Sequence, residues 1–270
     1  MTERIIMRMH FCLRVLFVGS CCFLNYSLVR GQEQTTYSQF WNEFSFTKTL
    51  KGKWSLELNL GQTWTSSPDH NSMFSFNSQL YARAWVHYHF NARWKFSFFY
   101  AYYFNKYVPE IKQKGLPEFR SAYQATYYIH KIRHTLSARL RIEDRHIRND
   151  SGTYEAYYRF RTQIKLLYPI NGKRIREGVF YGIGSEEFYF KTTTTLTGKE
   201  FFDRSRLTLG MGYSLTNDIQ AELTYVNEFL PRDSGDEIYN VVQLNFAFNN
   251  FLANLKNKFL PKKDVTQLSD

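Results

Sequence analysis

In the stretch EAYYRFRTQIKLL, the odd positions are Glu155, Tyr157, Arg159, Arg161, Gln163 and Lys165, and the even positions are Ala156, Tyr158, Phe160, Thr162, Ile164 and Leu166. Successive side chains of a strand point to opposite sides, so this spacing predicts one β-strand with a charged face and an apolar face. A helix would mix the two sets. Such a strand fits a soluble sandwich, whose apolar face meets a core, or a membrane barrel, whose apolar face meets lipid and whose polar face lines the lumen.

The alternation runs from end to end. WSLELNLGQ sends Trp54, Leu56, Leu58 and Leu60 one way and Ser55, Glu57 and Asn59 the other. FSFNSQLYARAWVHYHF, RWKFSFFYAYYF, EFRSAYQATYYI and LSARLRIEDR repeat the pattern, followed by VFYGIGSEEFYF, SRLTLGMGY, IQAELTYV and VVQLNFAF. Many reach the roughly 9–11 residues that cross a bilayer obliquely, beyond the soluble mode of about 5–6. Short connections near Lys51-Gly52, Asn91, Lys131 and Thr216-Asn217 alternate with longer polar ones, and only Tyr168 to Glu177 blurs the rule. Short turns at one rim and long loops at the other predict an all-β transmembrane antiparallel β-barrel of about 10–12 strands. Some eleven segments are visible, whereas bacterial single-chain barrels have even numbers. Parity then asks either for ten strands, with Phe40 to Thr49 inside the lumen, or for twelve with one more strand.

The first residues agree with that setting. Arg4, Arg8 and Arg14 precede a short apolar run, Val15 to Leu24, and then small or polar residues, the layout of a secretory signal peptide over 1–31. The division is completed by a barrel over 32–250 and a basic C-terminal tail over 251–270. All three cysteines, Cys12, Cys21 and Cys22, fall in the leader, so the exported chain would hold itself together without disulfides. The chain has 25 Phe, 20 Tyr and 5 Trp yet a mean hydropathy of only -0.46, which suits strands with one lipid face and one polar face. Its formal net charge is +11. The basic residues stand singly on alternating positions with acids among them, which argues for an internal lining and against nucleic acid.

RIEDR followed by YRFRTQIKL, then Glu186 in GSEEFYF, then FDRSRLTLGMGYSLT and AELTYVNEF, resemble the domain of unknown function 2490 family of Gram-negative outer-membrane β-barrels. The resemblance spans nearly the whole chain after the leader. It implies a barrel, a place in the cell outer membrane among outer-membrane lipid, and insertion by the barrel-assembly machinery; the family brings no activity with it.

Chemistry is sparse. His87 and His89 share a face but two histidines are too few for a metal site, so no metal or cofactor is expected. His146 with Asp144 and Asp150 suggests a hydrolytic site without an identifiable nucleophile, so no catalytic constellation is assigned. Gly182 and Gly184 read as barrel-interior positions where side chains must be small. The feature above background is a ladder of charges on adjacent strands: Arg139, Arg141, Glu143 and Arg145 beside Glu155, Arg159, Arg161 and Lys165, with Glu186, Arg206 and Glu222 beyond. Facing lipid at mid-membrane they would cost about 2–4 kcal/mol each, so they are expected to point inward and pair. Two functions follow: a salt-bridged structural barrel, or a narrow channel whose excess Arg and Lys favour small anions. The rivals are an outer-membrane enzyme acting on lipid or envelope polymer, and a soluble periplasmic β-sandwich binding an acidic ligand.

Overall fold

The computed structural model describes residues 34–250 apart from 110–114, 150, 196–197 and 234. The expected leader, the basic tail and Asp150 lie outside the described residues. Eleven strands follow in order: β1 (Gln34–Thr49), β2 (Trp54–Thr65), β3 (Phe76–His89), β4 (Trp94–Asn105), β5 (Leu116–Lys131), β6 (Thr135–Arg148), β7 (Tyr154–Pro169), β8 (Phe180–Lys191), β9 (Phe202–Ser214), β10 (Ile219–Leu230) and β11 (Asp236–Asn249). Each pairs with its sequence neighbours in antiparallel register, and β1 closes on β11.

That last pair is parallel, with Gln34 beside Asp236 and Thr47 beside Asn249. The parity expectation of ten or twelve strands is therefore corrected. The segment Phe40 to Thr49 belongs to the wall rather than the lumen. An odd number of strands can close a barrel only if first and last run the same way, because every other neighbour reverses direction. Closure also removes the open sandwich from consideration, since no sheet edge is left unpaired.

Local chemistry sets the turns. Between β1 and β2, Gly52 has φ of 75°, a conformation that side chains with a Cβ rarely adopt. Between β3 and β4, the Asn91 side-chain oxygen accepts from the backbone N–H groups of Arg93 and Trp94, both at 2.8 Å. Thr216 caps the β9–β10 turn in the same way, accepting from Ile219 N at 3.0 Å.

The apolar set faces outward throughout: Leu56, Leu58, Leu60, Phe96, Phe98, Leu140, Ile142, Phe160, Ile164, Leu209 and Leu223 are all exposed on the outer wall. Such an apolar belt, interrupted by few polar side chains, is far larger than a water-soluble monomer presents. Aromatic residues mark both its rims, with Trp54, Tyr88 and Trp94 near the short turns and Tyr100, Tyr102 and Tyr154 near the long loops.

The inner face holds no single apolar core. One cluster joins Trp85, Phe99, Ala101, Tyr103 and Ala122 on β3–β5. A second joins Tyr37, Val226, Leu230, Tyr239 and Val241 where β10, β11 and β1 meet, with Trp41 against it. Close packing explains one glycine here: a Cβ at Gly212 would lie 2.2 Å from the Tyr181 ring.

Candidate functional site: the charged lumen

Inward positions of β5 to β9 carry a connected set of ion pairs. Glu143 on β6 stands at its centre. Its Oε2 accepts from Arg159 Nε at 2.8 Å and Nη2 at 2.6 Å, and its Oε1 from Arg161 Nη1 at 2.6 Å and Arg141 Nη1 at 3.2 Å. Arg161 then bridges to β8, donating to Glu187 from Nε at 2.8 Å and Nη2 at 3.0 Å. Arg139 pairs with the same Glu187 carboxylate.

Register explains why the carboxylates sit where they do. Arg141 lies directly opposite Arg161 in the β6–β7 ladder, a repulsive placement for like charges. The two guanidiniums turn apart. Arg141 donates back to Gln124 Oε1 on β5 at 2.9 and 2.7 Å, while Arg161 reaches forward to Glu187, and Glu143 lies between them.

The set extends at both ends. On β5, Glu118 receives Arg120 at 2.9 Å and Arg145 at 3.0 Å, and Arg145 also donates to the Tyr157 hydroxyl. On β9, Arg204 donates to Asp203 at 3.0 Å and to Glu228 at 3.2 Å, and Arg206 pairs with Glu228. The fully buried Tyr189 ring lies among the guanidiniums, 4.4 Å from Arg161 and 5.0 Å from Arg206, so its π-face shares the positive charge. Glu118, Glu143 and Glu187 are almost wholly buried. Such ions are tolerated when they are paired and hydrogen-bonded, and each of these carboxylates accepts from at least two arginines, although the buried Nε of Arg139 has no hydrogen-bond partner among the described residues.

Most of the expected network faces inward as its alternation requires: Arg139, Arg141, Glu143, Arg145, Arg159, Arg161 and Arg206 all join it. Lys165 lines the central cavity without an ion-pair partner within 4 Å among the described residues. Three assignments are corrected. Glu186 faces outward, opposite Ile164 and Leu207, and its neighbour Glu187 is the lumen carboxylate. Gly182 and Gly184 share that outward face, alternating with buried Tyr181 and Ile183, so they are not interior positions. Glu222 lines the cavity and accepts from the Tyr181 hydroxyl at 2.9 Å, whereas Glu228 takes the β9 arginines. Glu155 points inward at the long-loop rim, where its carboxylate accepts from Thr195 N at 2.7 Å and Oγ1 at 2.6 Å and so ties down the β8–β9 loop.

Sequence reasoning left Glu118, Arg120, Glu187, Asp203, Arg204 and Glu228 out of the network. An adjacent Glu186-Glu187 pair reads either way in a strand with aromatics on both faces. Asp203 escapes alternation because the β8–β9 register shifts between Tyr189 and Phe190, letting both Asp203 and Arg204 bury. His87 and His89 each have side-chain partners: His87 bonds Ser97 at 2.8 Å and Glu57 at 3.2 Å, and His89 bonds Ser55 at 3.1 Å.

The charged wall borders a central cavity of about 420 Å³. Across it stand Gln39, Trp41, Glu43, Gln243 and Asn245, and cationic side chains outnumber carboxylates among the lining residues. The arrangement presents a surplus of positive charge to the cavity, and its dense pairing ties one half of the wall together.

No curated protein matches the chain. Among solved structures it is similar to a bacterial polysaccharide outer membrane secretin, at 13% identity and a TM-score of 0.47 over 75% of this chain and 67% of that one. It is also similar to the NanC porin in a rhombohedral crystal form, at 12% identity and a TM-score of 0.45 over 79% of this chain and 98% of that one. The profile described as "Protein of unknown function (DUF2490)" matches residues 38–239. That match covers most of the chain, which belongs to the DUF2490 family of proteins of unknown function.

Proposed function

We propose that this protein is an exported barrel of the Gram-negative outer membrane whose lumen is a narrow, anion-preferring passage. The leader pattern of 1–31 and the largely apolar outer wall support the location. In that setting the surrounding partners are outer-membrane lipid and the machinery that inserts barrels. Phe248, stacked on Phe46 at 5.2 Å on the outer face of β11, is the terminal-strand aromatic that such machinery would read.

The single observation that carries the passage is the surplus of guanidinium and ammonium groups around the central cavity. A ring of fixed positive charge in a restricted bore lowers the barrier to anions and raises it to cations. Arg139 and Lys165 are the positions to test, since both line the cavity. Purified in detergent and reconstituted in a planar bilayer under a salt gradient, the wild type should give a reversal potential of anion-selective sign. Arg139→Glu combined with Lys165→Glu should invert it. Recovery of the protein in the soluble periplasm would overturn the location, and a silent wild type would overturn the passage.

A second reading has its own observation. Glu143 gathers three guanidiniums into one knot, which suits a closed structural lumen. In that case the wild type stays silent and Glu143→Ala leaks.

A further inference from the structure

We propose that the outer wall carries a second site, a Ser–His–Asp constellation that hydrolyses ester-linked acyl chains of lipid. It consists of Ser121 on β5 with Asp144 and His146 on β6.

The outward face of β6 reads Leu136, Ala138, Leu140, Ile142, Asp144, His146 from the short-turn end. Four apolar residues give way to a carboxylate and an imidazole on the lipid side of the wall. His146 Nε2 lies 3.1 Å from Asp144 Oδ2, and the two side chains are 45% and 35% exposed. The sequence offered no nucleophile for this pair, and the sheet supplies one. Ser121 is directly opposite Asp144 in the β5–β6 ladder, and Phe119 is opposite His146. Ser121 and His146 are thus diagonal neighbours on one face, with Cβ atoms roughly 7 Å apart, a gap that a rotation of the His146 ring would close to hydrogen-bond distance. Both line one depression of about 370 Å³ on the outer wall, with the aromatic residues Tyr100, Phe119 and Tyr154.

The level in the membrane suits the chemistry. His146 is two residues from the end of β6 at the long-loop rim, above the apolar band of Leu140 and Ile142. In the membrane location proposed above, on which this inference rests, that rim stands near the level of lipid ester groups, with water within reach and acyl chains along the wall below.

The step balances with water as the only co-reactant. His146, oriented by Asp144 and with its ring turned toward Ser121, takes the Ser121 hydroxyl proton as Oγ attacks the ester carbonyl carbon. The bond to the alcohol oxygen breaks, and the alcohol leaves with the proton from His146. Water, deprotonated in turn by His146, cleaves the acyl-serine, releasing fatty acid and restoring Ser121. Tyr100 and Tyr154 bring hydroxyl donors to the same depression for the oxyanion.

The test uses the purified barrel in detergent micelles, with heat-modifiable migration on gels confirming the fold of every variant. A fluorophosphonate probe should label the wild type at Ser121, mapped by peptide mass spectrometry. Labelling should vanish in Ser121→Ala and fall by about a hundredfold or more in His146→Asn. It should persist in Thr162→Ala, an outward hydroxyl farther down the wall. In mixed micelles of dioleoylphosphatidylglycerol, fatty-acid release should fall by roughly a thousandfold or more with Ser121→Ala. A folded barrel that neither takes the probe at Ser121 nor releases fatty acid would overturn the site and leave His146 and Asp144 as a rim ion pair. Labelling unaffected by His146→Asn would also overturn it. Conductance through the lumen is read separately, so neither result bears on the passage.

Discussion

The inner wall is built in two ways. From β5 to β9 it is held by guanidinium–carboxylate pairs centred on Glu143 and Glu187, whereas at the meeting of β10, β11 and β1 it is held by Tyr37, Val226, Leu230, Tyr239 and Val241. Both halves are closed by the same backbone ladder, so the difference lies in what the inward side chains exchange for water. Apolar side chains gain on leaving water whatever their neighbours, while buried ions are stable only as a complete set. The charged half is therefore the more fragile to single substitutions, and the apolar seam the more tolerant.

Glu143→Ala tests this most severely, because it leaves Arg141, Arg159 and Arg161 without their shared carboxylate. A loss of about 3–5 kcal/mol is expected from urea unfolding in lipid or detergent if the site is dry. A loss below about 1 kcal/mol would mean that water fills this half of the bore and would erase the contrast between the walls. At the seam, Val241→Ala removes two buried methyl groups. Its expected cost is roughly 1.5–3 kcal/mol, and added salt should leave it unchanged, since it involves no charge.

The inside and outside of one strand sharpen the comparison further. Glu187 and Glu186 are adjacent on β8, one held by Arg139 and Arg161, the other facing outward between Ile164 and Leu207. Glu186→Leu should stabilise the barrel in detergent by about 1 kcal/mol or more, because a charge on the apolar outer wall is removed, while Glu187→Leu should destabilise it as Glu143→Ala does. Stabilisation by both, or by neither, would reverse the assignment of β8's faces.

The smallest effect concerns the long-loop rim. Glu200 accepts from Lys191 Nζ at 3.4 Å, and Lys191 also donates to Gly198 O at 3.0 Å. Burial pushes the Glu200 carboxyl up, but a hydrogen bond from its own backbone N–H and the charges of Lys191 and Arg232 outweigh it and hold the group below its ordinary value of 4.5. A carboxyl with a lowered folded pKa adds stability that is present above the ordinary value and is lost as pH falls through the lowered one. Hydrogen exchange around Gly198, corrected for its intrinsic rate, should therefore lose protection below about pH 4.5 in the wild type. Glu200→Gln should remove that dependence.

Much of this was legible in the chain. Period-two alternation is local, so it assigned the outer Leu140, Ile142, Phe160 and Ile164 and the inner Arg139, Glu143, Arg159 and Arg161 before any partner was known. It also set the strand lengths and the order of short and long connections. Alternation fails where the local signal is balanced or broken, as at Glu186-Glu187 and at the register shift beside Asp203.

What the sequence could not contain is which strands meet. Closure by a parallel β1–β11 pair, the choice of Glu228 rather than Glu222 for the β9 arginines, and the placing of Ser121 beside Asp144 and His146 were decided by tertiary structure. The physical reason is one of range. The face a side chain takes depends on its own backbone and its place in the strand, whereas its partner depends on register between strands and on how the whole sheet bends to close.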